Sequence, residues 1–302
     1  MNQMRPVAEV PYAINQWMTP HNSVAEDAVQ YAATGATGIG LWEDKLGDRS
    51  EDARTAELLA ENGLHATYVA PHVWPILPGP LDAPDVPTEV GGRVEAICET
   101  VERIAAFKPL GVIVGGGRSG DPDNPAGPVD RIPEALATIA DAAAAHGMRV
   151  GFELLGARRG APLHTFGELI EVIDAAGRDN VGILFDFIHS WPEPGLHDDI
   201  RRHVDRIDYV QVNDARDPER TWCDRMLPGD GIGVAVPILT TLMEAGYDGW
   251  YELEVFSDDG TFGTELEDSL WAIPHEELLR RGREAFERVY GEAAAAAGKV
   301  AA

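Results

Sequence analysis

Residues 243–254 read MEAG-YDGWYELE: a helix-like stretch closed by Gly246, a short turn, then an apolar run carrying Glu252 and Glu254 at alternate positions. Glycine directly after a helix is the common left-handed cap, and alternation over a few residues is the period of a strand. The stretch therefore marks a helix handing over to a strand. The same phrase recurs as AATG-ATGIGLW (32–42), AENG-LHATYVA (60–70), AAHG-MRVGFE (144–153) and DAAG-RDNVGILFD (174–186). Pro11–Trp17, Pro109–Val114 and Ile207–Val212 complete eight strand candidates. Helical spacing falls between them near residues 22–34, 50–62, 88–107, 131–146, 165–176, 197–205, 235–245 and 275–290. Eight alternating units of roughly 35 residues predict an α/β chain folded as one (β/α)8 TIM barrel over residues 1–291. The Ala-rich residues 292–302 read as a disordered tail.

Four strand-like runs clamp one polar residue between apolar ones: Phe152-Glu153-Leu154, Phe185-Asp186-Phe187, Val210-Gln211-Val212 and Leu253-Glu254-Val255. Successive strand side chains face opposite ways, so the apolar residues can pack under helices while Glu153, Asp186, Gln211 and Glu254 point away from them. In a barrel of this kind functional groups gather at the C-terminal strand ends, where these four fall. Lone buried carboxylates are costly, and a divalent cation is their usual partner when several converge. Three carboxylates and an amide oxygen favour a hard cation, Mn2+ first, with Mg2+ or Co2+ the other choices.

The formal net charge of −27 argues against nucleic acid as a partner. No apolar run approaches the roughly 20 residues that cross a bilayer, and the first residues lack a signal-peptide pattern, so the expectation is a cytoplasmic protein with no membrane partner. Cys98 and Cys223 have no CxxC spacing, which argues against thiolate metal ligation. His72 and Trp74, in the Pro-rich loop 71–87, and Trp191 are assigned to substrate, plain packing being the other account of each. Trp17, Trp42, Asn15 and Glu43 carry the same two readings. Glu252 either supports the metal site from below or is a paired acid of the barrel interior. Arg118, Arg158, Arg159 and Arg220 could each clamp a phosphate, and the long segment Ser257–His275 is the expected subunit contact.

GFELLG around Glu153, the D-x-x-H of Asp186 to His189, YVQVND (209–214), LPGDG (227–231) and ELEVF (252–256) together resemble the xylose-isomerase-like TIM-barrel superfamily of sugar isomerases and epimerases. The resemblance implies metal-ligand positions for Glu153, Asp186 and Glu254 and a substrate-contacting role for His189. Gln211 departs from the pattern, since most relatives carry His there; either oxygens alone hold the ion or Gln211 turns to the substrate. The implied chemistry is proton removal beside a carbonyl to give an enediolate, with Glu153, Glu254 and His189 competing as base. HSWPEPG (189–195), FSDDGTFG (256–263) and Gln211 resemble the catalytic subunit of C-glycoside-deglycosylating enzymes. That likeness implies β-elimination from a 3-keto-glycoside and a small β-rich partner subunit. The alternatives are a ketose or sugar (phosphate) isomerase or 3-epimerase, or an inosose dehydratase-like lyase, and a homo-oligomer is the alternative to the partner subunit. Phosphodiester hydrolysis, the remaining branch, conflicts with the acidic surface.

Overall fold

Eight parallel strands close into a barrel in the computed structural model, which describes residues 5–79, 82–117, 129–156 and 160–300. The strands are β1 (Tyr12–Asn15), β2 (Gly38–Trp42), β3 (His65–Ala70), β4 (Gly111–Gly115), β5 (Arg149–Glu153), β6 (Val181–Asp186), β7 (Ile207–Val212) and β10 (Trp250–Leu253). Around the barrel their order is β1-β10-β7-β6-β5-β4-β3-β2. The outer layer comprises α1 (Val24–Ala33), α2 (Asp52–Glu61), α3 (Val90–Ile104), α4 (Ile132–Ala145), α5 (Phe166–Ala176), α7 (Leu196–His203), α8 (Ala235–Ala245) and α9 (His275–Val300). Beyond the strand ends lie a one-turn helix, α6 (Phe187–Ser190), and a short antiparallel ribbon of β8 (Asp214–Ala215) and β9 (Arg225–Met226).

The repeating phrase folds as its chemistry requires. Its five glycines, Gly35, Gly63, Gly147, Gly177 and Gly246, all have φ between 64° and 90°, the region that a side chain disfavours. Capping boxes Ser23/Glu26 and Thr165/Glu168 start α1 and α5 by satisfying backbone donors that the helix leaves free. Alternation then sorts the faces. Phe152, Phe185, Val210, Val212, Tyr251 and Leu253 join the large core beneath the helices, whereas Glu153, Asp186, Gln211 and Glu252 occupy intervening positions.

One feature differs from the sequence expectation. Residues 292–300 are not a disordered tail but the last turns of α9. Alanine is the strongest helix former, and Ala293 and Ala297 are buried, so this end of α9 is packed as well as helical. The expected clamps Arg118, Arg158 and Arg159 lie outside the described residues.

Gly40 makes room for the interior. A Cβ there would run into the Glu252 carboxylate and come 3.0 Å from Asn15 Nδ2. Gly40→Ala should therefore cost about 1–3 kcal/mol of stability through overpacking, read from the denaturant midpoint. A wild-type midpoint would mean that Glu252 does not fill the space beside β2.

Candidate active site

Glu153 ends β5 and Asp186 ends β6, where Asp186 caps α6 by accepting from the Ile188 backbone N–H at 3.1 Å. The cap starts the helical turn that carries His189 back over the mouth, with Nε2 3.5 Å from Glu153 Oε1 and 3.6 Å from Asp186 Oδ2. Among the described residues, Glu153, Asp186 and His189 form the one group of His, Cys, Asp or Glu whose ligand atoms all lie within 4.8 Å of one another. All three are buried.

Glu254, one residue beyond β10, is tied to this group by an arginine. Arg225 Nη1 lies 2.9 Å from Asp186 Oδ2 and 2.7 Å from Glu254 Oε2, and the Arg225 residue is only 3% exposed. Burial works against the guanidinium charge, but Asp186 and Glu254 more than offset it and hold Arg225 above its ordinary value. Asn213 adds a 2.6 Å bond to Asp186 Oδ1. One buried cation thus faces Glu153, Asp186 and Glu254. Burial holds the Glu254 carboxyl well above the usual range, with Arg225 pulling it back in part. A divalent cation fits this donor set, because three buried carboxylates beside one guanidinium leave negative charge in excess.

Below them, Glu252 is fully buried and accepts from Asn15 Nδ2 at 3.0 Å, Gln211 Nε2 at 2.9 Å and the Tyr209 hydroxyl at 2.9 Å. It lies in the barrel interior in contact with Gln211, and burial pushes its carboxyl up to about 7. Gln211 Nε2 also donates to Glu254 Oε1 at 2.9 Å. Asn15 and Gln211 therefore belong to the floor of the site.

An aromatic wall adjoins the carboxylates. Trp17 stacks on Trp42 at 4.0 Å and meets Phe256 and Phe262 at 4.9 and 5.4 Å. Trp222 packs edge-on against the same two phenylalanines. Arg225 lies 3.8 Å over the Phe256 ring, so one side chain touches both wall and carboxylates. Phe262 keeps 37% of its surface exposed. Sequence reading found Trp17 and Trp42 but missed Arg225, Asn213 and Trp222. The available signal for Arg225 was a basic residue placed just before the LPGDG motif.

Other expected residues have structural partners. His72 Nδ1 meets Asp44 at 2.7 Å and Nε2 meets Asp85 at 3.3 Å; burial works against its charge, but the two carboxylates more than compensate and raise its pKa above 6.5. Glu43 accepts from the His72 backbone N–H and the Thr100 hydroxyl, pinning the start of that loop. Trp74 covers Gly115 at the end of β4, where a Cβ would strike its ring. Trp191 ends α6 and is half-buried. Arg220 is engaged by Asp224 and Asp268 and is therefore no free phosphate clamp.

A family model described as the xylose isomerase-like TIM barrel matches residues 29–289. The inosose isomerase of Halalkalibacterium halodurans is 28% identical over 130 residues, which is 40% of this chain and 44% of the relative. The chain thus matches under half the length of that curated relative. Among solved structures, the IOLI protein with a binding zinc atom has a TM-score of 0.74 at 16% identity, covering 94% of this chain and 99% of the other. The D-psicose 3-epimerase of Clostridium cellulolyticum H10, solved with D-tagatose, also gives 0.74, at 17% identity over 94% and 99%. At these identities the structural likeness is one of fold. No helix among the described residues is long and apolar enough to cross a membrane.

The raised carboxyls set a pH dependence for the metal-free protein. Glu252 and Glu254 hold protons more tightly when folded than at their ordinary value of 4.5. Their penalty is absent below that value and grows as pH rises through the folded pKa values, so chelated protein should melt higher at about pH 5.5 than at about pH 8. In Glu254→Gln the dependence should flatten. Melting curves in chelator test this; an equally steep dependence in the variant would remove Glu254 as its source.

Proposed function

The chain belongs to the xylose isomerase-like TIM barrel family, and from that membership and the chemistry of its site we propose a divalent-metal-dependent enzyme of carbohydrate metabolism. It removes a proton from the carbon beside the carbonyl of an oxidised sugar. The observation that carries this reading is the convergence of Glu153, Asp186 and His189 within 4.8 Å, with Glu254 joined to them through Arg225. Glu153, Asp186, Gln211 and Glu254 are the proposed ligands. A bound cation of the Mn2+ type would supply Lewis-acid polarisation of the carbonyl.

The chain's own groups account for the rest. Glu254, whose carboxyl burial holds above the usual carboxylate range, is the proposed acceptor of that proton. Glu153 on β5 and His189 on α6, whose Nε2 lies 3.5 Å from Glu153 Oε1, are the groups available to return a proton. Arg225 has a buried Nε without a hydrogen-bond partner, a donor suited to charge developing on a substrate oxygen. Burial of the whole group keeps water from quenching these interactions.

The finer reading is β-elimination from a 3-keto-C-glycoside. The proton leaves C2, the bond from C1 to the aglycone breaks, and its electron pair goes to the aglycone carbon, which then takes up a proton; the sugar departs as an enone. The aromatic cluster of Trp17, Trp42, Phe256 and Phe262 supports it, because Arg225 joins it to the carboxylates and Phe262 leaves apolar surface exposed there. The second reading, isomerisation or epimerisation of a ketose, rests on the likeness to the inosose isomerase. It needs more than one group able to exchange a proton with the substrate, and Glu153, His189 and Glu254 are the candidates the site offers.

Metal analysis, deuterium exchange in heavy water and aglycone assays decide among these. About one Mn2+-like ion per chain is expected, with aglycone released from a 3-keto-C-glycoside in the presence or absence of a small β-rich partner subunit. Exchange into free ketoses without aglycone release selects the isomerase reading. Failure to bind any divalent ion after reconstitution would sink both.

A further inference from the structure

Gln211 uses only one end of its amide. Nε2 lies 2.9 Å from both Glu252 Oε2 and Glu254 Oε1, whereas Oε1 is buried without a hydrogen-bond partner in a residue 1% exposed. The orientation is dictated by chemistry: Asn15, whose Oδ1 is taken by the Trp17 backbone N–H, presents Nδ2 to the same Glu252 Oε2, so that oxygen is an acceptor and Gln211 must meet it with nitrogen. β7 lies between β10 and β6, and Gln211 is registered against Glu252 on one side and Asp186 on the other. With nitrogen held by Glu252 and Glu254, the oxygen is directed away from those two acids, since the two atoms diverge from the same carbon.

Building on the metal-dependent reading above, we infer that Glu252 is a positioning residue that locks the Gln211 amide with its oxygen turned toward the Glu153–Asp186–His189 group, as a neutral oxygen donor for the cation. Glu252 is itself immobilised, by Asn15 on Oε2 and Tyr209 on Oε1, in the space that Gly40 leaves. Three donors converge on it, so what the arrangement demands is an acceptor. A negative charge is not required. The lock also tunes the ion: a fixed amide oxygen favours Mn2+ over Zn2+ relative to a donor set without it.

Three variants of the full chain, stripped of metal and titrated with Mn2+ and with Zn2+ by calorimetry, test this. Glu252→Met removes the acceptor and frees the amide, so Mn2+ affinity should fall about 10- to 100-fold and the Mn2+-to-Zn2+ affinity ratio should drop. Glu252→Gln keeps an oxygen for Asn15 and Gln211, while Tyr209, whose single hydroxyl proton can turn from Glu252 to Thr67 Oγ1 at 2.7 Å, can accept from the new amide. Its Mn2+ affinity should stay within about threefold of wild type, because the orienting bond survives. Gln211→Met should lose as much as Glu252→Met. Wild-type affinity in Gln211→Met overturns the inference, and this arm stands even where Glu252→Met does not fold. Equal losses in Glu252→Gln and Glu252→Met also overturn it, assigning the effect to charge. A wild-type chain that binds neither ion defeats the parent reading, which is a separate result.

Discussion

Burying several carboxylates at one end of a barrel is the constraint on which the rest of this structure depends. An ionised carboxylate out of water is strongly disfavoured unless a charge or several donors meet it. Each acid here has such a partner: Asp186 has Asn213, Arg225 and the N-terminus of α6; Glu254 has Arg225 and Gln211; Glu252 has three donors and no cation in contact. The remaining imbalance, three acids at the mouth against Arg225, is why a divalent cation fits the donor set.

The same residue type organises the loops. Asp214 accepts from the backbone N–H groups of Ala215, Gly229, Gly233 and Val234, folding the LPGDG turn back onto the end of β7. Asp258 accepts from Gly260, Phe262 and Thr264, which shapes the loop presenting Phe262 to the aromatic wall. Asp224 and Asp268 share Arg216 and Arg220 between the loop after β7 and the loop after β10. Backbone bonds from Arg225 N–H to Phe256 oxygen and from Asp258 N–H to Cys223 oxygen complete that junction. Much of the acidity of the mouth is therefore structural, a network that ties the two loops together beside the buried Phe256 and Trp271.

Strand-level features were legible in the sequence because they are periodic and local. Glycine caps marked the helix ends, and the apolar-polar-apolar runs located Glu153, Asp186, Gln211 and Glu254. Arg225 was not legible, since its meaning comes from a two-residue strand folded over the mouth, a contact between segments 39 residues apart in the case of Asp186. The orientation of Gln211 was equally hidden: the sequence gives an amide, and only neighbouring acceptors decide which end faces the acids. Residues 292–300 were misread for a related reason. Their composition is compatible with fraying, and their order comes from the burial of Ala293 and Ala297, which a local reading does not register.

Arg225 joins the two halves of the site, and that junction constrains what can bind. The carboxylates sit on strand ends fixed by the barrel ladder, whereas Phe256, Phe262 and Trp222 sit on loops tied together by ion pairs and backbone bonds. A guanidinium that stacks on Phe256 while bonded to Asp186 and Glu254 transmits any shift of the wall to the acids, since it cannot move without losing one set of contacts. A ligand with a polar, oxygen-rich part and a flat apolar part would engage both sides at once and leave the junction intact. One with only the polar part would leave the aromatic surface in water, so binding energy from the apolar portion would be available to position the reacting carbon.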